Sequence, residues 1–238
     1  MKTSDITLQT PDGPMDCFEA APDGEARRAV VVIQEAFGVN EHIRDVATRF
    51  AKEGYRAIAP ALFHRTGGGT AAYDDYAKVM PMMQALTDDG ILADVDTVLA
   101  HLHDEGFTDD RIGIVGFCLG GRVTFLVGVR RALGAAVGFY GGGIVTPRMP
   151  GQTKLVDEAG ALQTPWLGLF GDRDQSITIE DVETLRRALD AAKPDHDIVR
   201  YADAEHGFFC DKRPSYNADA AADAWPRALA WFENHLAR

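Results

Sequence analysis

Five consecutive apolar residues, Ala29-Val-Val-Val-Ile33, constrain this chain more than any other segment. The run is too short for a buried helix, is β-branched, and lacks the in-out alternation of a strand with one wet face, so it reads as a strand covered on both sides. Such strands belong to parallel sheets, which need crossover connections, and the rest of the chain supplies them. Residues 41–54 place Ile43, Val46, Ala47, Phe50 and Ala51 at helical spacing, with Gly54 as the stop. Strands at 56–61, 111–116, 135–140, 165–170 and 197–201 then alternate with helices at 90–103, 121–129, 179–192 and 218–236. This rhythm predicts a mostly parallel central sheet with helices on both faces. Ahead of it, residues 5–8 and 15–18 flank a Thr-Pro-Asp-Gly-Pro turn and read as an antiparallel hairpin at one sheet edge. The Gly-rich stretch 66–70 precedes a Met- and Tyr-rich loop and helix at 73–86. At 238 residues, with no internal repeat or linker, the chain is expected to form one domain over 1–238.

Composition restricts the partners. A formal net charge of -12, with no Lys/Arg block, disfavours nucleic acid and anionic membrane surfaces. The N-terminal MKTSDITLQTPDG lacks the apolar core of a signal peptide and no apolar run is long enough to span a bilayer, so a cytoplasmic protein is expected. Three scattered cysteines, Cys17, Cys118 and Cys210, without a C-x-x-C pair, suggest neither a disulfide framework nor a zinc site.

Chemistry concentrates in Gly116-Phe-Cys-Leu-Gly-Gly121, set between an apolar strand and a helical run. This is the pattern of a nucleophile elbow with Cys in place of Ser. A thiol at a helix N-terminus gains thiolate character from the helix dipole and free N–H groups, a setting that Cys17 and Cys210 lack. The base should follow the last strand, where Glu205-His206-Gly-Phe208 stands, and the acid should come from the Gly171-Asp-Arg-Asp174 turn. Position alone leaves Asp172 and Asp174 both open. His101 and His103 invite a metal reading, but both end a helix, where a cation suits the dipole, and no metal or cofactor is expected.

Together, Gln34-Glu35-Ala-Phe-Gly38, the Cys118 elbow, the 171–174 turn and the His206 motif resemble the dienelactone hydrolase family of the α/β-hydrolase superfamily, over nearly the whole chain. The resemblance implies the α/β-hydrolase fold and a cofactor-free hydrolase of an ester or lactone. It implies Cys118 as nucleophile, His206 as base, Asp174 as acid, and Glu35 as a carboxylate that contacts the cysteine and readies it. Backbone N–H groups of Leu119 and Ala36 would meet the oxyanion.

Family members that act on dienelactone grip its carboxylate with arginines, one after the glycine-rich loop and one shortly after the histidine. Residues 73–86 offer only Lys78, and the fourth residue after His206 is Cys210, with Lys212 and Arg213 beyond. A largely apolar pocket is therefore expected, drawn from Phe37, Phe63, Met80, Met82, Met83, Tyr140 and Phe208, with Arg213 as the polar candidate. The substrate would be a neutral or weakly polar ester, lactone or similar acyl compound, and the enzyme a monomer or homodimer. The alternatives are a non-catalytic binding protein that keeps the elbow as architecture, and a redox sensor, for which no resolving cysteine is evident.

Overall fold

The computed structural model describes residues 1–237. Eight strands form one sheet: β1 (Lys2–Thr10), β2 (Gly13–Ala21), β3 (Ala29–Ile33), β4 (Arg56–Pro60), β5 (Ile112–Phe117), β6 (Ala135–Phe139), β7 (Trp166–Gly171) and β8 (His196–Tyr201), in the order β1-β2-β4-β3-β5-β6-β7-β8. The opening hairpin pairs antiparallel and joins β4 antiparallel. Every pair from β4 to β8 is parallel. Burial explains this partition. All residues of β3, β5, β6 and β7 are buried, whereas β1 alternates and exposes its outer half.

Six helices make the connections: α1 (Glu41–Lys52), α2 (Tyr76–Gln84), α3 (Asp88–Asp104), α4 (Leu119–Arg130), α5 (Ile179–Leu189) and α6 (Ala218–His235). On one face α1 and α6 meet through Phe50 and Phe232, ring centroids 5.6 Å apart. On the other, α4 packs on β5 and β6 and touches α3. Capping fixes where these helices begin: Asn40, Thr87, Thr178 and Asn217 each accept a backbone N–H at a helix start, and Thr178 completes a capping box with Asp181. A 3₁₀ segment, Leu155–Ala161, has no counterpart in the sequence reading.

From β3 the chain turns to β4 on one side and later crosses to β5 on the other. Loops leaving β3 and β5 therefore diverge at their carboxyl ends, which opens a crevice there. Glu35 follows β3, Cys118 β5, Tyr140 β6, Asp174 β7 and His206 β8, so one sheet edge gathers side chains from across the sequence.

Candidate active site

Cys118 occupies the junction between β5 and α4 with φ 55° and ψ -109°, a left-handed conformation that only one other non-glycine residue, Tyr140, shares among the described residues. The residues two places to either side, Gly116 and Gly120, are glycines for a steric reason. A Cβ on Gly116 would stand 2.1 Å from the Gly120 carbonyl oxygen, and one on Gly120 would stand 2.5 Å from that of Ile33. The tight turn brings α4 against β3 and turns the thiol outward at the head of the helix.

A cavity of about 900 Å³ opens there, and Cys118, Asp174, His206 and Ala36 all line it. The Nδ1 of His206 lies 2.6 Å from Asp174 Oδ2. Asp174 Oδ1 accepts from the Ser176 N–H (2.8 Å), the Ser176 hydroxyl (2.7 Å) and the Ile177 N–H (3.1 Å), so the carboxylate is fixed by its own turn. Asp172 is committed elsewhere, in a bidentate pair with Arg200 at 2.7 and 2.9 Å. Geometry thus separates the two aspartates that position left open.

Electrostatics single out one thiol. Burial would raise the Cys118 pKa, but the charge of His206, a hydrogen bond to it and the charge of Arg213 bring it below the ordinary thiol value; Glu35 acts the opposite way. Burial would likewise lower His206, yet Cys118 and Asp174 together raise it. The two shifts share one cause, the attraction between charge on the sulfur and charge on the imidazole. For Asp174, burial is outweighed by His206 and Ser176, which hold it below the usual carboxylate value. Burial pushes the Cys17 thiol up to about 12, and raises Cys210, whose sulfur lies 3.2 Å from the Tyr73 hydroxyl.

Glu35 is fully buried, and its charge acts on the Cys118 thiol. Its Oε1 accepts from the Tyr140 hydroxyl at 3.3 Å and from Arg213 at 3.4 Å, while Oε2 has no partner. Burial raises this carboxyl against the pull of Arg213 and His206. Arg213 is boxed in, its guanidinium carbon 5.7 Å from the ring centroids of both Phe37 and Tyr73. Leu119 N–H opens the first turn of α4, where amides lack an intrahelical acceptor, and Ala36 lines the cavity.

The expected apolar wall requires correction. Phe37, Met80 and Met83 line the cavity, but Phe63, Met82, Tyr140 and Phe208 are buried core residues set back from it. Tyr140 and Phe208 pack on each other at 5.3 Å because both follow strands into the crowded floor of the crevice. Three arginines, Arg148, Arg173 and Arg213, stand on the wall instead. Arg148 was missed because it comes from the loop after β6, whose approach to the site no local pattern reveals; Arg173 stands inside the 171–174 turn and was passed over between its two aspartates.

Of the remaining histidines, His42 is buried and lowered to about 4 by that burial, His64 pairs with Asp94 at 3.0 Å, and His103 pairs with Asp109 at 2.8 Å. His101 does cluster with Glu19 and Glu105 in a group able to hold a cation. The Arg56 guanidinium already serves both carboxylates, at 2.5 Å from Glu19 and 2.9 Å from Glu105. No helix among the described residues is long and apolar enough to cross a membrane.

The sequence model of the dienelactone hydrolase family matches residues 15–236. The chain belongs to this family. A relative from Escherichia coli (strain K12), named "Putative carboxymethylenebutenolidase", is 43% identical over 211 residues, spanning 87% of this chain and 76% of the relative. The carboxymethylenebutenolidase of Pseudomonas putida is 28% identical over 234 residues, 96% of this chain and 95% of that one. Among solved structures, a "Putative Dienelactone Hydrolase" from Klebsiella pneumoniae superposes with a TM-score of 0.86 at 38% identity, covering 98% of each chain. As a dienelactone hydrolase family member with the α/β-hydrolase fold, the protein is a hydrolase acting on small molecules.

Proposed function

We propose that this dienelactone hydrolase homologue cleaves esters or lactones by transferring the acyl group to Cys118 and then to water. The carrying observation is a sulfur of lowered pKa facing an imidazole whose other nitrogen is 2.6 Å from a carboxylate. The Cys118 thiolate attacks the carbonyl carbon, and the developing oxyanion accepts from the N–H groups of Leu119 and Ala36. Collapse expels the alkoxide, which takes the proton from His206 and leaves a thioester. His206, now neutral, removes a proton from water; hydroxide attack and a second collapse release the acid and restore the thiolate–imidazolium pair. Asp174 keeps the imidazole in one orientation throughout.

Glu35 opposes thiolate formation by like charge, while Arg213 offsets it. Its role in this reading is to hold the resting nucleophile back until substrate enters. Of the cavity's arginines, Arg173 is paired with Asp203 and Arg213 with Glu35, while Arg148 keeps a side chain without a carboxylate partner among the described residues, and the relatives' names specify carboxymethylenebutenolide. Carboxylate-bearing lactones therefore belong in the substrate class beside neutral esters.

The test is Cys118→Ala assayed on a simple aryl ester, with circular dichroism to verify folding. Activity should fall about a thousandfold or more, as for loss of a nucleophile in comparable triads. A folded variant with full activity refutes the assignment. Iodoacetamide should label Cys118 well before Cys17 and Cys210; equal labelling would favour the non-catalytic alternative.

A further inference from the structure

Hydrogen bonds do not explain why the Arg213 guanidinium stays where it is. It carries several N–H donors, yet among the described residues its one hydrogen bond is a long contact of 3.4 Å to Glu35 Oε1. The side chain is nevertheless only 14% exposed. Packing confines it. The rings of Phe37 and Tyr73 each stand 5.7 Å from the guanidinium carbon, within cation–π range, and a Cβ on Gly207 would collide with the same group. Phe37 and Gly207 are themselves buried, one residue beyond Ala36 and His206. Tyr73 comes from elsewhere: across residues 66–81 only Val79 is buried, so the third wall belongs to a segment with little hold on the core.

Specific contacts fix that wall. The Tyr73 hydroxyl accepts from Asn40 Nδ2 at 3.1 Å and lies 3.2 Å from Cys210 Sγ, and its ring meets Phe37 edge-on at 4.8 Å. Asn40 is itself anchored, since its Oδ1 caps α1 by accepting the Ile43 N–H. We propose that Tyr73 is a positioning residue: its ring pens Arg213 against Glu35 in the cavity that Cys118 lines. The groups whose charge acts on the sulfur are His206, Glu35 and Arg213, and Arg213 is the one that offsets Glu35. An arginine released toward solvent is screened by water and offsets less. Tyr73 thus acts on the nucleophile through Arg213 without donating to or accepting from it. The inference rests on the Cys118 hydrolase reading above.

The experiment uses the full chain and follows iodoacetamide alkylation of Cys118 across a pH series by mass spectrometry, with circular dichroism to verify folding. Tyr73→Ala should move the midpoint upward by about half a pH unit or more, and the acid limb of kcat/KM on an aryl ester should move with it. Tyr73→Phe keeps the ring and should recover at least about half of that shift. Tyr73→Leu, which keeps apolar volume without a ring face, should shift the midpoint in the same direction as Ala and serves if the Ala variant does not fold. In an Arg213→Gln background, Tyr73→Ala should add less than about a third of its original shift, because the group it positions is gone. An unchanged or lowered midpoint in the folded Ala and Leu variants, a Phe variant as shifted as Ala, or a full shift in the Arg213→Gln background each overturns the proposal. Alkylation needs no turnover, so this result stands apart from ester hydrolysis persisting in Cys118→Ala, which rejects the parent reading instead.

Discussion

At the scale of single residues, the charges around Cys118 make opposite predictions for two neighbouring acids. Asp174 helps raise His206, and His206 in turn lowers Cys118. Asp174→Asn removes that support, so the pH midpoint for iodoacetamide alkylation of Cys118 should move upward. Glu35 raises the thiol's pKa, so Glu35→Gln should move the midpoint downward at any pH where Glu35 is ionised. Mass spectrometry of the labelled peptide across a pH series reads both, and shifts of the same sign would contradict the electrostatic account. Cys118 and His206 could be singled out in the sequence because each sits in a short motif beside a strand end, whereas Glu35 was singled out only through family resemblance. The choice of Asp174 rested on family resemblance until its hydrogen bonds set it apart from Asp172. Arg148 and Arg173 were the least legible. Arg213, seven residues after His206, was named as the polar candidate of the pocket and does stand on its wall, beside Phe37 and Tyr73.

At the scale of elements, the elbow depends on α4 approaching β3 and β5 more closely than side chains would allow. A methyl at Gly120 would meet the backbone oxygens of both Ile33 and Gln34, neither of which can rotate aside. Gly120→Ala should therefore cost about 1–3 kcal/mol. In a protein of this size that lowers Tm by several degrees, at about 2–4 °C per kcal/mol, measurable by thermal denaturation. An unchanged Tm would mean that α4 can back away from the sheet. The parallel strands were readable because two-sided burial imposes continuous apolar runs, as in Ala29–Ile33. Helix α4 has no polar face to read, since Leu119 through Val129 are all buried, and only its place after the elbow identified it. The 3₁₀ segment Leu155–Ala161 escaped notice because its form is set by packing against α4 and α5 instead of by its own periodicity.

Across the whole molecule, one buried ion pair joins the parts that must stay together for the site to work. Arg122, on the first turn of α4, is 1% exposed and grips Asp88, on the first turn of α3, at 2.6 and 3.0 Å. The same guanidinium donates to the carbonyls of Gly143 and Thr153, and Asp88 accepts the Thr153 N–H. The loop between those two carbonyls carries Arg148, so the pair anchors part of the catalytic cavity's wall. Asp88→Ala leaves a buried guanidinium without its counter-charge and should cost about 3–5 kcal/mol, a Tm drop on the order of 10 °C. Acid should act on the same group. Burial would raise Asp88, but Arg122 and Thr153 hold it below the ordinary carboxylate value. Its stabilising contribution is therefore complete above the unfolded pKa and disappears as pH falls through the lower folded value. Thermal melts between pH 7 and 2 should show the wild type losing stability in that acid range, with the deficit of Asp88→Ala relative to it shrinking toward the low end. A deficit that stays constant over the whole range would show that the carboxylate's charge is not what holds the wall, leaving packing around Arg122 as the cause.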